Sequence, residues 1–157
     1  MPSGIEDIIY EGYTLSHCTF RTERYYGRIL SRESYILFLR RNEDPEIPWY
    51  TLEVEPSGVV RQKRTFGDDQ DSSIDEINKF LREWQKVVQS RLTAADKRLG
   101  AKSREERLRG FDELRKNKTI VRTGYLTGKL LADVLEADLL DISFEAEGEA
   151  KTKEKVG

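Results

Sequence analysis

The stretch that decides the fold is SYILFLRRNEDPEIPWYTLEVEPSGVVRQKR, residues 34–64. Residues 34–41 contain a continuous apolar run, and residues 49–55 alternate with the period of two that is typical of a half-buried strand. Asn, Asp and Pro residues form a loop between these segments, and Pro-Ser-Gly forms a turn before residues 59–64. The stretch predicts a three-stranded antiparallel meander, in which Glu53 is an exposed or semi-exposed residue on the face opposite the apolar side chains of its strand.

The sequence on either side of the meander predicts further elements. Residues 13–20 are rich in aromatic residues and Thr, which favours an extended segment and a fourth strand, with the start of a helix as the alternative. Residues 24–31 are ambiguous, with a short helix as one option. After the meander, Ser73 and Glu76 have the spacing of a helix capping box. Apolar residues then recur every three or four positions, the pattern of a helix with one buried face. This stripe comprises Ile74, Ile77, Phe80, Leu81, Trp84, Val87, Val88 and Leu92.

The apolar pattern is thinner in the last third of the chain. Residues 99–102, Leu-Gly-Ala-Lys, predict a helix break, and Ser103 with Glu106 offers a second capping box. A further helix is predicted over residues 127–140. The expected class is α+β: a small antiparallel meander packed by a long amphipathic helix, with a helical C-terminal extension. The expected divisions are an N-terminal lead at 1–12, an α+β domain at 13–92, a helical extension at 93–144 and a disordered tail at 145–157.

Composition excludes several classes of protein. Among 157 residues there is one His, His17, and one Cys, Cys18, so an internal disulfide and metal sites built from several His or Cys ligands are excluded. The apolar runs are far shorter than the roughly 20 residues that cross a bilayer. No basic start followed by an apolar stretch opens the chain, and phosphate-binding glycine motifs are missing. We expect a cytoplasmic protein without a membrane span, metal or cofactor.

Charge is segregated along the chain although the net value is only −2. Residues 21–41 hold six arginines and two glutamates, and residues 97–118 hold nine basic and four acidic residues. Residues 133–149 reverse this balance, with seven carboxylates and no Lys or Arg. Two basic stretches and one acidic stretch indicate separate partners or mutual neutralisation in space.

Several motifs carry a resemblance to a known family. They are, in chain order, Gly12-Tyr13-Thr14-Leu15-Ser16-His17-Cys18, Tyr25-Tyr26, Tyr35-Ile36-Leu37-Phe38-Leu39-Arg40, Pro45 and Pro48, Trp49-Tyr50-Thr51-Leu52-Glu53-Val54, Gln62 with Arg64, and Ile77-Asn78-Lys79-Phe80 with Trp84. Over residues 12–92 the chain resembles the PcfJ-like family of conjugative plasmids, phages and related mobile elements. One departure is that Thr65 follows Arg64, where family members usually have Gly and then Asn. The resemblance implies a genetic setting rather than a reaction.

Two candidate sites lie in this N-terminal region. The order His17, Tyr25 (or Tyr26), Glu53 resembles the His, Tyr and Glu of some ADP-ribosyltransferases, in which the Glu stabilises an oxocarbenium-like transition state. A nucleic-acid interface is the other candidate, because arginines spaced three or four residues apart present a stripe of guanidinium groups on a helix. Its residues are Arg21, Arg24, Arg28, Arg32 and Arg64. The pI of about 5.6 counts against a dedicated nucleic-acid binder.

The acidic stretch is a third candidate, as a surface that mimics nucleic acid and binds a basic groove on a partner protein. Its residues are Asp133, Glu136, Asp138 and Asp141. The first hypothesis is therefore a non-enzymatic mobile-element protein that binds a host or element-encoded protein, as an anti-CRISPR-like inhibitor of a nucleic-acid-guided nuclease. The second is a nucleic-acid-binding accessory protein of conjugation or replication, and the third is the His17, Tyr25 and Glu53 transferase.

Overall fold

The computed structural model describes residues 23–65, 70–122 and 124–142, together with residues 3, 4, 6 and 10. Three strands form one antiparallel sheet in the order β1-β2-β3, and helices surround it, so the α+β class is confirmed. The candidate fourth strand at 13–20 and the tail at 145–157 lie outside the described residues. The elements are α1 (Glu23–Leu30), β1 (Tyr35–Leu39), β2 (Tyr50–Val54), β3 (Val60–Arg64), α2 (Ile74–Ser90), α3 (Ala94–Lys116) and α4 (Leu131–Asp138).

The hairpin between β2 and β3 contains an irregularity that matters for the polar side of the sheet. Glu53 pairs with Gln62, but the next pair is Val54 with Val60. Arg61 is thus an extra residue on β3, as in a β-bulge. The predicted Pro-Ser-Gly turn is confirmed, and it is closed by the Glu55 N–H, which donates to the carbonyl of Val59 at 2.8 Å.

The apolar face of the sheet packs against α2. The predicted helix is confirmed in place, but the predicted stripe is too wide, because Phe80 is 56% exposed and Val87 is 49% exposed. Three strands of five residues form a narrow sheet, which covers little more than one side of the helix. Trp84 packs at its margin and is partly buried. The buried cluster comprises Tyr50, Leu52, Val54, Val60, Ile77, Leu81 and Leu140.

The predicted capping box at Ser73 and Glu76 is wrong. Ser73 is the N-cap residue of α2, but its side chain makes no cap hydrogen bond and binds the Asp71 carboxylate instead. That carboxylate also accepts hydrogen bonds from Trp49 Nε1 and Tyr50 Oη. Desolvation acts to raise the pKa of Asp71, but the bonds from Ser73, Trp49 and Tyr50 outweigh it and lower the pKa. The loop before α2 is therefore tied to the start of β2.

The predicted helix break at 99–102 and the capping box at Ser103 are also wrong, since α3 runs unbroken through both. Its capping box lies earlier, where Thr93 Oγ1 accepts from the Asp96 N–H at 3.1 Å and the Thr93 N–H donates to Asp96 Oδ2 at 2.9 Å. Gly100 is buried against the β2–β3 turn, and a Cβ there would lie 2.9 Å from the Cβ of Ser57. This glycine marks a close approach between helix and hairpin rather than the end of a helix.

The C-terminal residues return to the sheet. The helix predicted over 127–140 is shorter, because Thr127, Gly128 and Lys129 form a turn before α4. Beyond α4, Leu140 pairs with Val60 through two backbone hydrogen bonds of 2.9 and 3.1 Å. Leu140 thereby enters the core beside the apolar residues of β2 and α2. None of the helices in the described part of the chain has the length and apolar character needed to span a membrane.

Replacing Gly100 with Ala should destabilise the protein by about 1–3 kcal/mol, because the added methyl group overlaps Ser57. Gly110 lies in the same helix with nothing within 4 Å of an added Cβ. Gly110→Ala should therefore stabilise the protein by up to about 1 kcal/mol through helix propensity. Urea unfolding of both variants measures the difference. Equal changes in the free energy of unfolding for the two variants would contradict the close approach of Gly100 to Ser57.

Candidate functional site

The face of the sheet opposite α2 is polar, yet it is buried. Glu53 and Glu55 alternate with the apolar residues of β2 and point to this face, where α1 and α3 cover them. Each is only 2% exposed. The expectation that Glu53 is an exposed or semi-exposed strand residue is therefore wrong, because alternation in one strand does not reveal that both faces of the sheet are covered.

Glu55 is bound by two arginines. Its Oε2 accepts hydrogen bonds from Arg61 Nε and Arg107 Nε, both at 2.7 Å. The Arg61 guanidinium also donates to Glu33 at 2.9 Å and to the hydroxyl and carbonyl oxygens of Ser103 at 3.0 Å. Burial by itself lowers the pKa of Arg61, but the adjacent carboxylates outweigh it and raise the pKa. This cluster joins β2, β3 and α3.

Glu53 is bound at one oxygen. Its Oε1 accepts from Arg28 Nη1 at 2.6 Å and from the Ser34 hydroxyl at 2.8 Å. Its Oε2 is buried and has no hydrogen-bond partner within the part of the chain that the structure describes. The Arg28 contact anchors α1 to the sheet, so the carboxylate serves as an attachment point for a helix.

A cleft of about 520 Å³ lies beside this buried cluster, with Arg28, Arg61, Arg107 and Phe111 among its lining residues. The guanidinium groups that reach it are already bound to Glu33, Glu53 and Glu55. Among the described residues no group of three His, Cys, Asp or Glu side chains could hold a metal ion. The arrangement is a balanced set of buried charges that holds elements together.

The structure describes only part of the predicted transferase site. His17 lies outside the described residues, as does the side chain of Tyr25, although its backbone belongs to α1. Tyr26 is half-buried. The side chain of Glu53 is described, and its contacts with Arg28 and Ser34 are those given above.

The predicted nucleic-acid residues do not form a stripe in the part of the chain that is described. Arg28 turns inward to Glu53, and Arg64 binds Asp138 at 3.0 Å. Arg32 is exposed just beyond α1. Arg21 and the side chain of Arg24 lie outside the described residues.

The four predicted partner-binding carboxylates also divide between interior and surface. Asp138 is 5% exposed and accepts hydrogen bonds from the Lys63 N–H and Gln70 at 3.0 and 2.7 Å. Burial, together with the charges of Arg64 and Arg82, lowers the pKa of Lys63 more than the neighbouring Asp138 raises it. Asp141 is half-buried, 4.0 Å from Arg107. The remaining two, Asp133 and Glu136, are exposed and both contact Arg115.

Exposed positive charge concentrates instead on α3. This helix buries only Gly100, Ser103 and Arg107 against the sheet, so most of its circumference faces solvent. Four exposed cations occupy its first half, and none forms an ion pair with a carboxylate in the described ranges. They are Lys97, Arg98, Lys102 and Arg104. The charge excess of residues 97–118 and the lack of a wide apolar stripe there were the sequence signals for this surface.

The loop between α3 and α4 adds a second group of exposed cations, Lys118, Arg122 and Lys129, around an exposed aromatic residue, Tyr125. Backbone hydrogen bonds order this loop: the Val121 N–H donates to the Lys129 carbonyl at 2.9 Å, and the Gly128 N–H donates to the Val121 carbonyl at 2.9 Å. The loop therefore presents a defined surface.

Comparison with known proteins places the N-terminal half of the chain in a family. The model of the family described as PcfJ-like protein matches residues 1–78. This part of the chain therefore belongs to the PcfJ-like family, and the resemblance seen in the motifs is confirmed. The match ends within α2, so α3 and α4 lie beyond it. No curated protein and no solved structure matches the chain.

Replacing Glu55 with Gln should destabilise the protein by about 3 kcal/mol, because Arg61 and Arg107 would keep buried charges without their shared counter-ion. The matched control is Glu83→Gln, which breaks a solvent-exposed pair with Lys86 on α2 and should leave the unfolding midpoint unchanged. Guanidinium chloride unfolding measures both variants. A Glu55→Gln protein as stable as the wild type would show that the cluster contributes nothing to the fold.

Proposed function

We propose that this protein binds nucleic acid through the exposed cations of α3, as an accessory protein of a mobile genetic element. The observation that carries the proposal is the contrast between two sets of basic residues. Arg28, Arg61 and Arg64 in the sheet region are bound to buried carboxylates. Four exposed cations of α3 have no carboxylate partner among the described residues: Lys97, Arg98, Lys102 and Arg104.

The spacing of these cations suits a phosphate backbone. From Lys97 to Arg104 a helix rises about 10 Å. Successive phosphates of one strand in a duplex are about 3.4 Å apart along the axis, so this length spans about three of them. Each contact releases condensed counter-ions, which supplies affinity even to a protein whose net charge is −2. Local rather than overall charge therefore supports the proposal.

The mobile-element setting rests on the similarity of residues 1–78 to PcfJ-like proteins. The inhibitor hypothesis receives less support from the geometry, because its acidic surface is reduced to Asp133 and Glu136, which already contact Arg115. The transferase hypothesis receives less as well, because one oxygen of the buried Glu53 is held by Arg28 and Ser34. Both remain hypotheses about this chain.

The test removes four positive charges either from α3 or from α2 and its C-cap residue, Arg91. In one variant Lys97, Arg98, Lys102 and Arg104 become Ala, and in the matched control Lys79, Arg82, Lys86 and Arg91 become Ala. Wild-type affinity for a labelled oligonucleotide, measured by fluorescence anisotropy over a salt series, should fall steeply with salt. The measured quantity is the slope of log affinity against log salt concentration. For a single strand the α3 variant should reduce the magnitude of this slope by about 3, and the control variant should leave it unchanged.

An equal loss in the two variants would indicate attraction to charge in general rather than a surface on α3. A wild-type affinity that does not change with salt would contradict phosphate contacts altogether.

A further inference from the structure

We infer that the cleft between the α3–α4 loop and α4 binds an unpaired nucleobase, so that the nucleic acid bound by this protein is single-stranded. This inference rests on the proposed function and assigns the class of nucleic acid. The cleft has a volume of about 510 Å³, within the range of small-ligand sites. It lies between the C-terminal extension and residues Arg64 and Gln70, which also line it, and is separate from the cleft beside the buried Glu–Arg cluster.

The walls of this cleft are suited to a flat aromatic group. Leu126, Leu130 and Val134 provide apolar surface, and Tyr125 lines the cleft with a side chain that is 76% exposed. An exposed aromatic ring beside an apolar recess is a platform on which a base stacks. Duplex bases are paired and stacked within the helix, so only an unpaired base reaches such a platform.

The charged residues around the cleft indicate how a single strand of nucleic acid would lie on it. Lys129 lines the cleft, and Lys118 and Arg122 are exposed on the same loop. Residues 117–130 contain these three cations and no Asp or Glu. Phosphates would therefore lie along the loop, while the base enters towards α4.

Asp133 lines the α4 side of the cleft and indicates which bases fit best. The Arg115 guanidinium lies 3.4 Å from Oδ1 of Asp133, and the Asp133 side chain is 63% exposed. An ionised carboxylate only accepts hydrogen bonds, so it pairs with a base that carries an exocyclic amino group. Cytosine has such a group, whereas the N3–H donor of thymine lies between two carbonyl oxygens that repel a carboxylate. The site should therefore prefer cytidine to thymidine oligonucleotides.

The experiment compares Tyr125→Ala with Phe80→Ala, which removes another exposed aromatic ring, on α2. Anisotropy titrations at low salt would use labelled oligocytidine, oligothymidine and a blunt duplex. Tyr125→Ala should weaken single-strand binding roughly fivefold to a hundredfold, the value of one stacked base, and leave duplex binding unchanged. Phe80→Ala should change neither. Because Tyr125 is exposed, its loss should not shift the thermal unfolding midpoint.

The outcomes separate this inference from the proposed function. If the α3 variant weakens binding but Tyr125→Ala does not, the proposed function stands and the base site is overturned. Equal weakening of single-strand and duplex binding by Tyr125→Ala also overturns it. Equal affinity of the wild type for oligocytidine and oligothymidine overturns the role of Asp133. If the wild type binds none of the three probes, the proposed function fails, and the inference falls with it.

Discussion

The structure depends on the buried carboxylate of Glu55, which binds Arg61 and Arg107. A buried charge costs several kcal/mol to desolvate, and this cost is offset only when its partners are in place. Arg61 comes from the strand that the bulge distorts, and Arg107 comes from a helix far along the chain. The carboxylate is therefore satisfied only when hairpin and α3 dock in one arrangement. This requirement selects the packing of α3 more sharply than apolar contact does.

A second constraint acts on the apolar side of the sheet, where hydrogen bonds and core contacts join the C-terminal extension to the meander. Gln85 of α2 is buried, and its amide donates to the carbonyls of Gly58 and Leu140 at 2.8 and 2.9 Å. Leu140 also pairs with Val60 at the edge of β3. The boundary expected at residue 92 is thus crossed by core contacts, because a three-stranded sheet has too little apolar surface to complete a core without the C-terminal segment. The division into domains at that residue stays a prediction.

Because both faces of the sheet are covered, some basic side chains are neutralised in the interior and others remain in solvent. Arg28 and Arg64 lie where carboxylates of the sheet and of α4 reach them, so their charges are neutralised inside the protein. The first half of α3 meets the hairpin through two small residues, Gly100 and Ser103, and leaves its cations in solvent. Counting charges along the sequence detects both basic stretches equally. Only the contacts across the fold distinguish arginines that hold the structure together from those that face solvent.

By itself the sequence determined the meander, the turn before β3 and the position of α2, because alternation, turn residues and helical spacing are local properties. The motifs of residues 12–92 likewise identified the family, which the match to residues 1–78 confirmed. Tertiary structure alone decided that Glu53 is buried, that Gly100 marks a contact instead of a helix end, and that Ser103 binds Arg61 rather than capping a helix. It also placed the exposed cations on α3. These features depend on which surfaces of distant segments meet, and no pattern within a short stretch of chain records that.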